Sequence, residues 1–233
     1  MKLEEVLAFD TETTGVNIAF ARIVTASLVR ALINADLDDE QNVKIKNWLI
    51  NPGVHIPEQS IAIHKITNEL AQEKGTDPVV ALDSLSKDIV AIAKRGIPLV
   101  IFNAPYDYPL LENELLRHSL PTLREQLDGL PFILDPLTLD RILVPRREGR
   151  RTLERLSEIY AVTNSGELHS ADVDSLMTIK VLREVWQQHP ELWNYTPDEL
   201  MQFQADGYTE WSTRINDHWQ SINSDKHLPL HWL

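Results

Sequence analysis

Residues 7–15, LAFDTETTG, constrain this chain more than any other stretch. Leu7, Ala8 and Phe9 read as the end of a buried strand, and Thr13, Thr14 and Gly15 as the turn that follows. Alternation along an extended backbone puts Asp10 and Glu12 on the same side. Two carboxylates held so close repel each other unless a cation lies between them. Taken alone, an Asp-x-Glu at a strand end is ordinarily a solvated turn, so its meaning depends on partners further along.

A chain of 233 residues can form one large domain, or a domain with an extension, and bury a substantial core without covalent staples. It has no cysteine, which excludes disulfides and thiolate chemistry. The N-terminal MKLEEVLAFD lacks the apolar run and cleavage pattern of a signal peptide, and no uncharged apolar stretch reaches membrane-spanning length. The expectation is a soluble, cytoplasmic protein with no membrane contact. The net charge of −13, from 35 acidic and 22 basic residues, argues against a protein that coats duplex DNA through a broad surface. A cleft that grips a short strand, or one bridged by metal cations, stays open. The basic residues are unevenly spread: Arg141, Arg146, Arg147, Arg150, Arg151 and Arg155 fall between positions 141 and 155. Such a cluster reads either as a solvated helix flank or as a phosphate-binding rim.

Further elements follow from pattern and punctuation. Residues 19–33 suit a long second strand, residues 34–42 an acidic hairpin-like loop and residues 43–50 a third strand closed by Asn51-Pro52-Gly53. Two short helical turns follow, and Asp77-Pro78 opens a helix with Leu85, Ile89 and Ile92 on one face, ended by Gly96. Residues 97–102 and 131–135 read as short buried strands, and helices are expected from Asn103 to about His118, over Thr152–Tyr160 and from Ala171 to about Gln188. Strands in front with helix–strand alternation behind imply an α/β layer fold with a mixed sheet. The last stretch differs in composition: Trp193, Trp211, Trp219 and Trp232 all lie there. It reads as a C-terminal helix docked on the domain, or as a surface for base stacking, a partner or a second copy.

Two more carboxylates have a telling local setting. Asp107, in IFNAPYD, follows the buried strand 97–102 and opens a helix at a sheet's carboxyl edge. Asp174, in HSADVD, falls on the first turn of the helix from Ala171, with His169 in the loop before it. Singly these are a helix cap, a loop histidine and a solvated first-turn acid. Together with the first stretch, they resemble the DEDD superfamily of 3′–5′ exonucleases, in its histidine-bearing branch. Asp10, Glu12, Thr13, Thr14 and Gly15 match its first motif; Asn103, Ala104, Tyr106 and Asp107 match the second, with Phe102 where histidine is common; His169, Ala171 and Asp174 match the third. Ile63–Thr67 is similar to a further His-x-Ile-Thr segment. Asp135 stands where the family starts an extended stretch, with Pro136 in place of a threonine. Asp172 stands where leucine is more usual, adding negative charge near His169.

The resemblance covers roughly residues 5–188 and implies a ribonuclease H-like three-layer fold with a mixed central sheet. It divides the chain into an exonuclease domain, 1–188, and a Trp-rich helical extension, 189–233. It further implies that Asp10, Glu12, Asp107 and Asp174 hold two Mg²⁺ or Mn²⁺ ions and that His169 accepts a proton from the attacking water. Glu12, Thr13 and Thr14 are the residues expected on the terminal nucleotide, with His64 and Phe102 at the pocket wall, Asn103 as a further substrate-binding residue, and Arg146, Arg147 and Arg151 on backbone phosphates. The implied activity is 3′–5′ hydrolysis of single-stranded DNA or frayed 3′ ends. RNA is the alternative substrate, and a silent nucleic-acid-binding or adaptor module the alternative role. A DNA polymerase or other repair protein is the partner such a domain would serve, and a homodimer is compatible with the Trp-rich tail.

Overall fold

The computed structural model describes residues 2–162 and 170–233. Its centre is β1 (Glu5–Thr13), antiparallel to β2 (Ile23–Leu32), which in turn is antiparallel to β3 (Val43–Leu49). On its other side β1 runs parallel to β4 (Leu99–Val100), and β4 parallel to β5 (Ile133–Leu134). The resulting mixed sheet has the order β3-β2-β1-β4-β5. The second strand is shorter than expected: residues 18–20 form a turn, in which Ala21 N–H donates to the Asn17 carbonyl at 2.8 Å. The stretch 97–102 pairs only over Leu99–Val100, because the chain then leaves the sheet to start the next helix.

The helices are α1 (Glu58–His64), α2 (Asn68–Lys74), α3 (Pro78–Ala93), α4 (Ala104–Arg117), α5 (Leu123–Leu127), α6 (Pro136–Leu143), α7 (Leu153–Ile159), α8 (Ala171–Gln188) and α9 (Pro197–Ser221). The extended stretch expected after Asp135 is a helix instead. Asp135 Oδ1 accepts from the N–H groups of Leu137 at 3.0 Å and Thr138 at 3.3 Å, and Pro136 takes the first helical position, where its missing N–H costs nothing. This is the same Asp-Pro signal that opens α3.

Strict alternation in β1 divides the core in two. Leu7 and Phe9 face α3, α4 and α5, whereas Val6 and Ala8 face α6, α7 and α8. The sheet is therefore the middle of three layers. On the edge formed by β3, the exposed Lys44 and Lys46 blunt the strand against further pairing. The β5 edge is covered by α9. Leu200 of this helix lies in one core and Tyr208 in the other. Between them the buried Gln204 accepts from Asp135 N–H at 2.8 Å and donates to the Ile133 carbonyl at 3.0 Å, completing the ladder of β5. Near the C-terminus Trp232 is buried in the first core, and Trp211 packs against it. Among the described residues, no helix is long and apolar enough to cross a membrane.

The contact between α6 and α9 depends on Gly207. A Cβ there would lie 2.3 Å from Ile142 Cγ1 and 2.4 Å from its Cδ1, so a larger residue fits only if the Ile142 side chain or one of the helices shifts. Gly207→Val should destabilise the protein by about 1–3 kcal/mol, the usual cost of overpacking, and Ile142→Ala should recover part of that loss in the double variant. Denaturant unfolding of the four proteins checks this, and strictly additive effects would show that the two side chains do not compete for the same space.

Candidate active site

The site lies where β1 outruns its parallel neighbour. Pairing with β4 ends at Ala8↔Val100, so residues 9–13 extend beyond β4 and leave a crevice at the carboxyl ends of the parallel strands. Asp10 and Glu12 point to the face covered by α8, and Asp174 sits on the first turn of that helix. Each of the three offers a carboxylate oxygen, and these oxygens lie within 4.8 Å of one another. A bulge between Glu12 and Thr13 then turns the backbone.

Asp107 reaches the crevice from the opposite layer. It is buried on the first turn of α4, and its Oδ1 accepts the Thr11 hydroxyl at 2.5 Å. Thr11 points to the α4 face, so this bond ties Asp107 to β1 from behind the other carboxylates. The start of α4 is unusual because Asn103 takes a left-handed conformation, φ +67°, which asparagine tolerates better than most residues, and its side chain caps nothing. Asp135 supplies the cap. Its carboxylate accepts from Asn103 N–H at 3.0 Å and Ala104 N–H at 3.1 Å, besides opening α6. One fully buried carboxylate thus holds two helix N-termini in place, although burial raises its pKa against the hydrogen bonds that lower it.

Burial, then the charges of Asp107, Asp174 and Glu12, holds the Asp10 carboxyl well above the usual range. Burial, followed by Asp174 and Asp107, pushes Glu12 up to about 8. Burial likewise brings Asp107 up to about 7, against the hydrogen bond from Thr11. Burial is the shared and largest cause, and like charges within the crevice add to it at Asp10 and Glu12. All the converging donors are hard carboxylate oxygens, the set suited to Mg²⁺, Mn²⁺ or Ca²⁺, and a cation among them would offset the repulsion. The residues therefore fit a metal site.

The other expected residues fall in several places. Thr13 Oγ1 donates to the Gly15 carbonyl at 2.9 Å and lies 2.7 Å from the Tyr106 hydroxyl, while Thr14 Oγ1 accepts Arg22 N–H at 2.9 Å. These bonds shape the turn after Glu12. His64 is buried, its Nδ1 accepts Ile66 N–H at 3.1 Å, and burial pushes its pKa down, so the ring is neutral. It shares with Glu12, Thr25 and Trp48 a cavity of about 200 Å³. Phe102 is not in that lining; it packs on the core beneath α8. Arg147 and Arg151 pair with Asp140, and Arg146 is exposed. Asp172 accepts from the Asn47 side chain at 3.2 Å and from Ser170, and despite its burial these bonds hold its pKa low. His169 lies outside the described residues. Thr11, Trp48 and the capping role of Asp135 were not anticipated. Only the cross-strand register and the meeting of two loops reveal them.

Carboxyls whose folded pKa lies above the unfolded value favour the fold at acid pH, and that contribution is lost as pH rises through the folded pKa values. Here the window is set by about 7 for Asp107 and about 8 for Glu12. In EDTA the melting temperature should fall from about pH 4, where the unfolded carboxyls ionise, to about pH 8 and level off above it, and saturating Mn²⁺ should raise it most at the alkaline end. Thermal melts across that range check it. A metal-induced shift equal at both ends would show that the carboxyls are ordinary.

Comparison with known proteins agrees with this geometry. The exonuclease family (RNase_T) matches residues 7–182. The DNA polymerase III epsilon subunit of Buchnera aphidicola is 27% identical over 187 residues, covering 78% of this chain and 72% of that protein. Among solved structures, E. coli exonuclease I in complex with a dA16 oligonucleotide superposes with a TM-score of 0.67 at 20% identity, over 82% of this chain and 42% of that one. Exonuclease X in complex with 5′-overhanging duplex DNA superposes with a TM-score of 0.56 at 21% identity, over 85% of this chain and 99% of that one. This chain thus spans less than half of exonuclease I, and at these identities the structural likeness speaks for the shared fold. With the match running unbroken from β1 into α8, the chain belongs to the RNase_T exonuclease family, within the DEDD superfamily.

Proposed function

We propose that the chain is a metal-dependent 3′–5′ exonuclease releasing nucleoside 5′-monophosphates from the 3′ end of single-stranded DNA. The convergence of Asp10, Glu12 and Asp174 within 4.8 Å, with Asp107 completing the crevice, carries this reading. Solved structures with a dA16 and a dT13 oligonucleotide among similar proteins favour a single strand.

Asp10, Glu12, Asp107 and Asp174 would hold two Mg²⁺ or Mn²⁺ ions. Two such ions, when bound, offset the charge that builds on the attacking and leaving oxygens of the phosphodiester. His169, two positions before α8 in the sequence, accepts a proton as the water oxygen attacks phosphorus. The bond to the 3′-oxygen then breaks, and that oxygen takes a proton from solvent. Thr13 and the Glu12 backbone position the terminal nucleotide, whose nucleoside enters the cavity shared by Glu12, His64 and Trp48. Tyr106 fixes the turn behind it through the Gly15 carbonyl, at 2.5 Å. Likeness to an epsilon subunit makes a DNA polymerase the partner to seek by co-purification.

With 5′-labelled DNA and matched RNA, the expected product is a ladder that shortens from the 3′ end of DNA and vanishes in EDTA. Stronger shortening of RNA would reassign the sugar, and immediate release of the 5′ label as a mononucleotide without a ladder would overturn the polarity. Asp174→Ala should lower turnover by on the order of 10²–10³-fold or more, the scale seen when a group that stabilises charge at the reacting centre is lost. His169→Ala should lower it by about 10²–10⁴-fold, as loss of a general base does, while Mn²⁺ binding is kept. Unchanged turnover in either variant removes that residue from the mechanism.

A further inference from the structure

A second cavity, of about 280 Å³, lies between α6, the loop that follows it and α9, and shares no residue with the carboxylate crevice. Arg141, Arg147, Arg151 and Arg214 all line it, together with Trp211. Among the described residues, one carboxylate is paired with this group. The fully buried Asp140 holds Arg147 at 2.8 Å and Arg151 at 3.4 Å, and accepts the Tyr160 hydroxyl at 2.7 Å. Arg147 and Arg151 are thereby explained as partners of Asp140. Arg214 is not, and Arg141, though it feels the nearby charges of Asp135 and Asp140, is ion-paired with neither. The Arg141 guanidinium lies 3.8 Å from the centre of the Trp211 ring, and neither it nor Arg214 has an ion pair among the described residues. Four guanidinium groups facing one volume repel one another, and this in a chain of net charge −13.

The pairing of α6 with α9 builds this arrangement. Gly207, Trp211 and Arg214 follow one another at i, i+4 and i+7, so the close approach of Gly207 to Ile142 turns the same face of α9 toward Arg141. The planar fork of arginine matches the oxygens of a phosphate, and an indole beside it suits a nucleic-acid strand. α6 begins at Asp135, whose carboxylate also caps α4 beside Asp107, and ends at the cavity. Eight residues of helix span about 12 Å at 1.5 Å per residue. The crevice and the arginines are thus only a few nucleotides' length apart, although residues 136–140 of the helix lie buried beneath the surface that such a strand would follow.

We infer that this cavity binds a backbone phosphate of the nucleic-acid strand upstream of the scissile bond, through Arg141 and Arg214. The identity of the anion as a strand phosphate rests on the exonuclease reading; the cavity itself does not. Arg214 and Trp211 lie beyond residue 182, where the family match ends, so the C-terminal helix is a working part of strand binding in this chain.

The test uses the full chain, with wild type, Arg214→Ala, Arg214→Glu and Arg141→Gln compared by fluorescence anisotropy on a labelled oligothymidylate in EDTA. Matching circular dichroism melts establish that the variants fold. The expected result is weaker binding by roughly 5–10-fold for Arg214→Ala and more for Arg214→Glu. The slope of log affinity against log salt should fall by about 0.7 for each single-strand phosphate that the variant no longer neutralises. Unchanged affinity and salt slope in the Arg214 variants overturn the inference. A parallel titration with a nucleoside 5′-monophosphate separates the other source of phosphate: variants that lose the mononucleotide but keep the strand also overturn it. Cleavage by wild type in Mn²⁺ is scored separately. Strand binding that depends on Arg214 in a wild type that cuts nothing would remove the exonuclease reading and leave the phosphate site standing.

Discussion

Carboxyl groups crowded at the end of β1 set the terms for the rest of this structure. Asp10, Glu12, Asp107 and Asp174 come from a strand and two helices in different layers, and Glu12, Asp107 and Asp174 each make Asp10 harder to ionise. A fold that gathers like charges works against itself there and must be stabilised elsewhere. The two apolar cores on either face of the sheet do this, and β1 contributes to both by alternation. The same alternation that buries Leu7 and Phe9 on one side delivers Asp10 and Glu12 to the other.

Holding the helix-borne carboxylate still is the work of Asp135. It is fully buried, yet it accepts hydrogen bonds from the starts of α4 and α6 and from the Thr138 hydroxyl at 2.7 Å. Gln204 of α9 accepts the N–H of the same residue. A chain of polar contacts therefore runs from the C-terminal helix through Asp135 to the backbone beneath Asp107. Residues 189–233 close the β5 edge and enter both cores, a closer involvement than a loose appendage would show.

The two clefts have opposite chemistry. One gathers carboxylates that accept cations, the other guanidinium groups that accept anions, and α6 links them. Such a division suits the proposed binding of a polyanion by an acidic protein. Four of the 22 basic residues are gathered at one cavity, while the net charge of −13 resists indiscriminate coating of duplex DNA.

Much of this was legible in the amino-acid order because it is local. Strand alternation placed Asp10 and Glu12 together, Asp-Pro marked the start of α3, and spacing put Asp107 and Asp174 on first turns of helices. The motif order alone led to the three-layer fold and its family. What it did not contain was every relation between distant segments. The extended stretch expected after Asp135 proved to be a helix, because its capping competes locally in a way the strand pattern before it obscured. The arginine segment read equally as a solvated flank or a rim, since its charge is visible in sequence but the buried Asp140 that takes up Arg147 and Arg151 is not. Phe102, expected at a pocket wall, is half-buried against the core, and Trp48, unremarked in sequence, lines the cavity beside Glu12. Sequence determines which groups a segment carries and which side of it they occupy, because both follow from backbone geometry. Which of those groups meet was decided only by the packing of α4, α8 and α9 around the sheet, where burial and shape act over the whole chain.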